Sequence, residues 1–320
     1  MAYGTRWAIR LAAGPGIGWG HVVRCLALAE LAMEAGAGPP CLIGPPEARA
    51  AQIVMAAGLS WVAADGPAAE LAALHDCGIS GGWLVVDDYA ITHADAARLR
   101  TSLDCRVLAF DDQHTWDHPA IDAVVAVSAA AETWSYRHCR AFTGPRYLPL
   151  RAAVRRIHPG PVRRGCVVAF GGAAGVEQVS ACVAAAMAHA PVFVAASAGI
   201  PPEVMAAALR GLDGAEILPL VPDLAERLAE TAVCVCSGGL VKYEALALGC
   251  LPVVVGGSSI ETADTAVLAL RGLAVATDAD CLAEVLAAHC TPERLAAFRM
   301  RAAAAGIGAD AAALATLIGA

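Results

Sequence analysis

Short runs of β-forming apolar residues alternate with Ala- and Leu-rich stretches of helical period along the whole 320-residue chain. That alternation admits few folds. Strands separated by helices pair in parallel, with helices covering both faces of the sheet. In the first half the runs are Trp7 to Ala13, Pro40 to Ile43, Trp83 to Asp87, Arg106 to Asp111 and Ala123 to Val127. A second series starts after Gly165 with Cys166 to Phe170, then Val192 to Ala196, Glu216 to Leu218, Ala232 to Cys236, Leu251 to Val255 and Leu273 to Ala276. Between the two series, residues 151–164 carry Arg151, Arg155, Arg156, Arg163 and Arg164 with two prolines and little to bury, as expected of a linker. The expected fold is α/β, with doubly wound Rossmann-like domains at 1–150 and 165–320 facing a central cleft. Ligands of open α/β sheets bind beyond the strand C-termini, so that cleft is the expected site. A chain this long also exceeds what one core ordinarily serves.

Composition narrows the partners. The chain is 58% hydrophobic but only 5% aromatic, an excess of Ala, Val and Leu that suits helices packed on parallel sheets. No apolar run reaches the roughly 20 residues of a membrane crossing, and no secretory leader is read at the N-terminus, so a cytoplasmic protein without membrane insertion is expected. The net charge of −8 without long blocks of one sign argues against nucleic acid and for a small-molecule partner. A monomer is expected. The 12 cysteines show no zinc-type spacing, and Cys234 and Cys236 read as buried strand residues, so neither a metal site nor a cofactor is expected. Lys242 is the only lysine in the sequence, and a single helix lysine reads as a solvated charge.

Two segments carry candidate chemistry. The first runs from Gly14 through Gly16, Gly18 and Gly20 into His21, after which Val22, Cys25, Leu26, Ala29 and Ala32 recur at helical spacing. Strand, glycine loop and helix N-terminus together form an anion site, and an imidazole there is placed to move protons. The glycine spacing is not the G-x-G-x-x-G of dinucleotide folds, and the next strand ends in Gly44-Pro45-Pro46 without an acid, which disfavours NAD. Arg24, one turn along, is a candidate phosphate ligand or the partner of a carboxylate. The second segment is Ser237-Gly238-Gly239-Leu240 through Glu244, which repeats the same logic after another strand. There the glycines allow close backbone approach to a diphosphate, and Glu244 is a candidate for ribose hydroxyls or an ordinary first-turn glutamate. Asp87 with Tyr89, and Asp111 with Asp112, end two strands as candidates for sugar hydroxyls or for loop capping.

Taken together these segments resemble a known family. Ile17 to Ala29, Val85-Val86-Asp87-Asp88-Tyr89, Phe110-Asp111-Asp112, Ala169-Phe170-Gly171-Gly172 and Ser237 to Pro252 are similar, in order, to the signatures of the PseG-like UDP-sugar hydrolases of pseudaminic acid biosynthesis and their spore-coat polysaccharide relatives. The resemblance implies the two-domain GT-B architecture of MurG-type glycosyltransferases. It also implies a UDP-sugar substrate, held through Gly18, Gly20, Arg24, Asp87, Tyr89, Gly171, Gly172, Ser237, Gly238, Gly239, Leu240 and Glu244. The implied reaction is metal-independent hydrolysis of a UDP-2,4-diacetamido-2,4,6-trideoxy sugar, with His21 as the catalytic residue directing water to the anomeric carbon.

The chain departs from that pattern at Ala12, Leu240, Val241, Glu261 and Thr262, mostly on the donor side. Two alternatives therefore stand beside hydrolysis. One is a MurG-like glycosyltransferase using a UDP-sugar donor, and the other is a nucleotide-sugar-binding protein without turnover.

Overall fold

The computed structural model describes residues 7–14, 17, 19–171, 174–189, 191–195, 200–218 and 224–319. Gly16, Gly18, Gly172 and Ala196, named above, lie outside the described residues. The chain divides into two compact units, the first made of Met1–Ala152 with Gly308–Ala320 and the second of Ala153–Ile307.

The first unit holds a parallel sheet of seven strands. They are β1 (Trp7–Leu11), β2 (Cys41–Gly44), β3 (Ser60–Ala63), β4 (Trp83–Asp87), β5 (Arg106–Phe110), β6 (Ala123–Ala126) and β7 (Arg140–Thr143), in the order β3-β2-β1-β4-β5-β6-β7. The second unit holds β8 (Cys166–Ala169), β9 (Val192–Ala195), β10 (Ala215–Leu218), β11 (Val233–Cys236), β12 (Leu251–Val255) and β13 (Val275–Thr277), ordered β10-β9-β8-β11-β12-β13 and again parallel. Central strands such as β4 and β11 are buried at every residue, which is why they read as unbroken apolar runs.

Each sheet reverses its strand order once, between β1 and β4 and between β8 and β11. A crevice opens beyond the strand C-termini at such a switch point. Register puts Leu11 beside Asp87 in the first sheet and Ala169 beside Cys236 in the second. Both candidate segments therefore leave their sheets at the two places where an α/β fold offers a binding crevice.

Two strands and one helix depart from expectation. β3 and β7 were not read in the sequence because both are edge strands, half-exposed and built on Ser60 and Arg140 without a continuous apolar run. The helix Ala312–Gly319, expected in the second domain, belongs to the first unit. It packs on the helix Gly20–Glu34 with Leu314, Ala315 and Ile318 buried. Gly308 and Asp310 donate backbone N–H groups to Pro145 O and Arg146 O, both at 2.9 Å, and Arg146 pairs with Asp310 at 2.9 Å. The arginine-rich stretch is not bare either: it forms the helix Ala152–Arg156 with Val154 buried. Among the described residues no helix is long and apolar enough to cross a membrane.

Candidate functional site

The first site grows from the helix Gly20–Glu34, which follows β1 across the glycine loop. Gly14 adopts φ +139°, a conformation closed to other residues at little strain, and accepts at its carbonyl from Ile17 N–H at 3.1 Å. His21 and Arg24 are three residues apart and so share one face of the helix. That face meets the end of β4. His21 Nδ1 lies 2.6 Å from Asp87 Oδ1, and because an ionised carboxylate only accepts, Nδ1 is the nitrogen that bears the proton in the neutral ring, leaving the lone pair on Nε2.

Asp87 is enclosed completely, at 0% exposure. Its Oδ1 also accepts from Arg24 Nη2 at 2.6 Å, and its Oδ2 accepts from Arg24 Nε at 2.7 Å and from the Cys25 thiol at 3.3 Å. Arg24 reaches further, donating from Nη1 and Nη2 to Asp112 at 3.0 and 2.8 Å, with its guanidinium 4.6 Å from the centroid of the Phe110 ring. Tyr89 closes the circuit by donating its hydroxyl to Asp112 Oδ2 at 2.6 Å while its ring meets His21 edge-on, centroids 5.0 Å apart. Tyr89 as a whole residue is 55% exposed, although its hydroxyl is held against Asp112.

The electrostatics follow from burial opposed by pairing. Burial works against ionising Asp87, yet the Arg24 charge, the His21 charge when that ring is protonated, and the hydrogen bonds from both overcome it and hold the carboxyl below the usual range. Asp112 is lowered in the same way, burial being outweighed by Arg24. Burial disfavours the Arg24 cation, but Asp112 and Asp87 hold it firmly protonated. Burial and then the Asp112 carboxylate push the Tyr89 phenol up, and burial and Asp87 do the same to the Cys25 thiol.

This geometry revises several sequence readings. Asp87, expected to hold sugar hydroxyls, has both oxygens taken and acts on His21 instead. Arg24, weighed as a phosphate ligand, takes its other role as the partner of carboxylates. Asp111 is a loop cap: it accepts from the backbone of Gln113, Thr115 and Trp116 at 2.9 to 3.1 Å and from the Tyr136 hydroxyl at 3.0 Å. Arg10, two residues before the departure at Ala12, pairs with Glu70 at 2.5 Å and with Asp88. The Arg24–Asp112 link was not read, though two acids ending the neighbouring strands β4 and β5 were its trace in the sequence.

The second site lies at the switch point of the other sheet. Gly171 donates its N–H to Ser237 Oγ at 3.3 Å, tying the loop after β8 to the loop after β11. A Cβ on Gly238 would fall 2.5 Å from Glu261 Cβ, so this glycine is required by protein contact. Glu261 forms a capping box with Ser258 on the helix Ser259–Leu270, its Oε2 accepting from Ser258 N at 2.8 Å. Leu240 precedes the helix Val241–Ala247 and gives no side-chain cap. Glu244, the candidate for ribose hydroxyls, is 5% exposed.

Lys242 is no solvated charge. It is 3% exposed, 2.9 Å from Asp264 Oδ2, and donates to the carbonyls of Gly238 and Gly239. Tyr243 donates to the same carboxylate, at 2.7 and 2.8 Å from its two oxygens. A buried lysine needs such partners, and only the fold brings Asp264 to it. Among the described residues no group of three or more His, Cys, Asp or Glu side chains is arranged to hold a metal ion.

No protein-family model matches the chain, and no curated protein matches it. Solved structures do. SnogD, a glycosyltransferase from Streptomyces nogalater, superposes with a TM-score of 0.66 at 15% identity over 98% of this chain and 99% of its own. MurG of Acinetobacter baumannii gives 0.63 at 15% identity over 98% and 99%. The glycosyltransferase VinC, solved in complex with dTDP, gives 0.63 at 15% identity over 98% of both chains. The fold is thus the two-domain GT-B fold. These neighbours are glycosyltransferases, a finding that overturns the expected hydrolysis. The sequence did not separate hydrolysis from sugar transfer because a base that directs water and one that directs an acceptor hydroxyl are the same imidazole.

Proposed function

We propose that the protein transfers a sugar from a nucleotide-sugar donor to the hydroxyl group of an acceptor. The observation that carries this reading over hydrolysis is the fold shared with glycosyltransferases along nearly the whole chain, and the 2.6 Å contact of His21 Nδ1 with Asp87 at the switch point of the first sheet supplies the base. Asp87 fixes the tautomer, so Nε2 is the base. As the acceptor oxygen forms its bond to the anomeric carbon, its proton passes to Nε2. The bond from that carbon to the diphosphate breaks, and the electron pair leaves with the nucleotide.

We assign the donor nucleotide to Gly171 and to Ser237 through Glu244 because these loops leave the second sheet at its switch point; VinC, of the same fold, was solved with the nucleoside diphosphate dTDP. On the acceptor side, a cavity beside Tyr89 is lined by His93, Gln113, Thr115 and Trp116 among others, with no carboxylate, arginine or lysine among the described residues of its wall. Such a wall suits a neutral, hydroxyl-bearing acceptor.

The test offers UDP- and dTDP-sugars to the protein with and without a panel of sugar and aglycone acceptors, and measures free nucleotide. Release that requires an acceptor is expected, and His21→Ala should lower it about 10²- to 10⁴-fold while calorimetry shows nucleotide binding retained. Nucleotide release at the same rate without any acceptor would overturn the reading.

A further inference from the structure

The imidazole that takes the proton belongs to a four-membered charge cluster. Arg24 supplies one cation to two carboxylates, giving Asp87 two hydrogen bonds and Asp112 two more. One of its nitrogens shares Asp87 Oδ1 with His21 and stands 3.4 Å from His21 Nδ1. Among the described residues the remaining titratable neighbours are already committed: the Cys25 thiol donates to Asp87, and the Tyr89 hydroxyl donates to Asp112. With His21 neutral, Asp87, Asp112 and Arg24 sum to one negative charge, and taking up a proton brings the cluster to zero. Without Arg24 the same uptake would run from two negative charges to one; without Asp112 it would run from zero to one positive.

We propose that Arg24 is a positioning residue whose charge, set against that of Asp112, fixes how tightly His21 holds the proton it takes from the acceptor. The inference rests on His21 as the base. A base that must release its proton in every turnover works best when its affinity for that proton is neither weak nor tight. Asp87 alone, buried and unmasked, would bind the imidazolium tightly. Arg24 counters that attraction and Asp112 limits how far it does so, with the guanidinium lying over the Phe110 ring at 4.6 Å from its centroid.

The cluster makes a prediction of opposite signs. In protein carrying ¹⁵N-histidine, with the His21 signals assigned from a His21→Gln sample, the imidazole is followed through a pH titration. Arg24→Gln is expected to raise the His21 midpoint by about one pH unit or more, a tenfold tighter hold on the proton. Asp112→Asn is expected to lower it, and Arg24→Lys, which keeps the charge, to stay closer to the parent protein than Arg24→Gln does. An unmoved midpoint in Arg24→Gln, or an upward one in Asp112→Asn, would overturn the proposal. If Arg24→Gln loses its near-ultraviolet dichroism, Asp112→Asn decides: a fall supports the proposal, and no change or a rise overturns it. These readings need no turnover, so a protein that transfers no sugar but shows the paired shifts would refute the assigned reaction and leave the cluster's role standing.

Discussion

At Asp87 a carboxylate is sealed from water and still ionised, which ties the first unit's stability to pH. Both Asp87 and Asp112 titrate below the ordinary carboxylate range when folded, so the unfolded chain binds protons first as the solution is acidified. The stability they contribute is complete above the unfolded value of about 3.9 and is lost as pH falls through their lower folded values. Urea midpoints are therefore expected to be flat with respect to these groups above about pH 5 and to fall steeply below about pH 4, less steeply in Asp112→Asn. A midpoint that does not respond to acid in this window would contradict the pairing. At this scale the sequence displayed His21, because a glycine loop leading into a helix is a local pattern. It did not display what Asp87 is for, because a carboxylate at a strand end is the same letter whether it holds a sugar or an imidazole. Lys242 was misread for the same reason, its partner Asp264 being 22 residues away.

The fully buried strands were the most legible elements, although the partly exposed edge strand β10 was read as well. Strands β4 and β11 were read nearly to their ends, and the apolar stripe from Val22 to Ala32 buries as spaced. The edge strands β3 and β7 were lost because one partly exposed side leaves no apolar run to detect. Glycines show the limit in another way. Gly238 was read as making room for a ligand, but the element that needs the room is the capped start of the helix Ser259–Leu270. Gly238→Ala would push its new methyl carbon against Glu261, from 2.5 Å away, and displace the capping box. A loss of about 1 to 3 kcal/mol in urea unfolding is expected, with faster amide exchange at residues 258–261. A variant as stable as the parent would show that the loop yields freely.

Across the whole molecule, repetition was the most legible property: two series of strands gave two parallel sheets, each with one reversal and a candidate segment beside it. Where the chain returns to its first unit was not legible, because the apolar face of the helix Ala312–Gly319 fits any sheet or helix equally well until Gly308 and Asp310 fix its place on Pro145 and Arg146. The uneven placement of two residue types has a practical consequence. All 6 tryptophans, from Trp7 to Trp134, fall in the first unit, whereas the only lysine falls in the second. Indole emission therefore reports one unit and amine acylation at residue 242 the other, without any engineered label. Because Lys242 is sealed at 3% exposure, a succinimidyl ester should leave it unmodified in native buffer and label it only as urea opens the second unit, read by peptide mass spectrometry. Labelling at full rate in native buffer would refute its burial. Used in one titration, the two intrinsic signals would time the opening of each half of the protein separately.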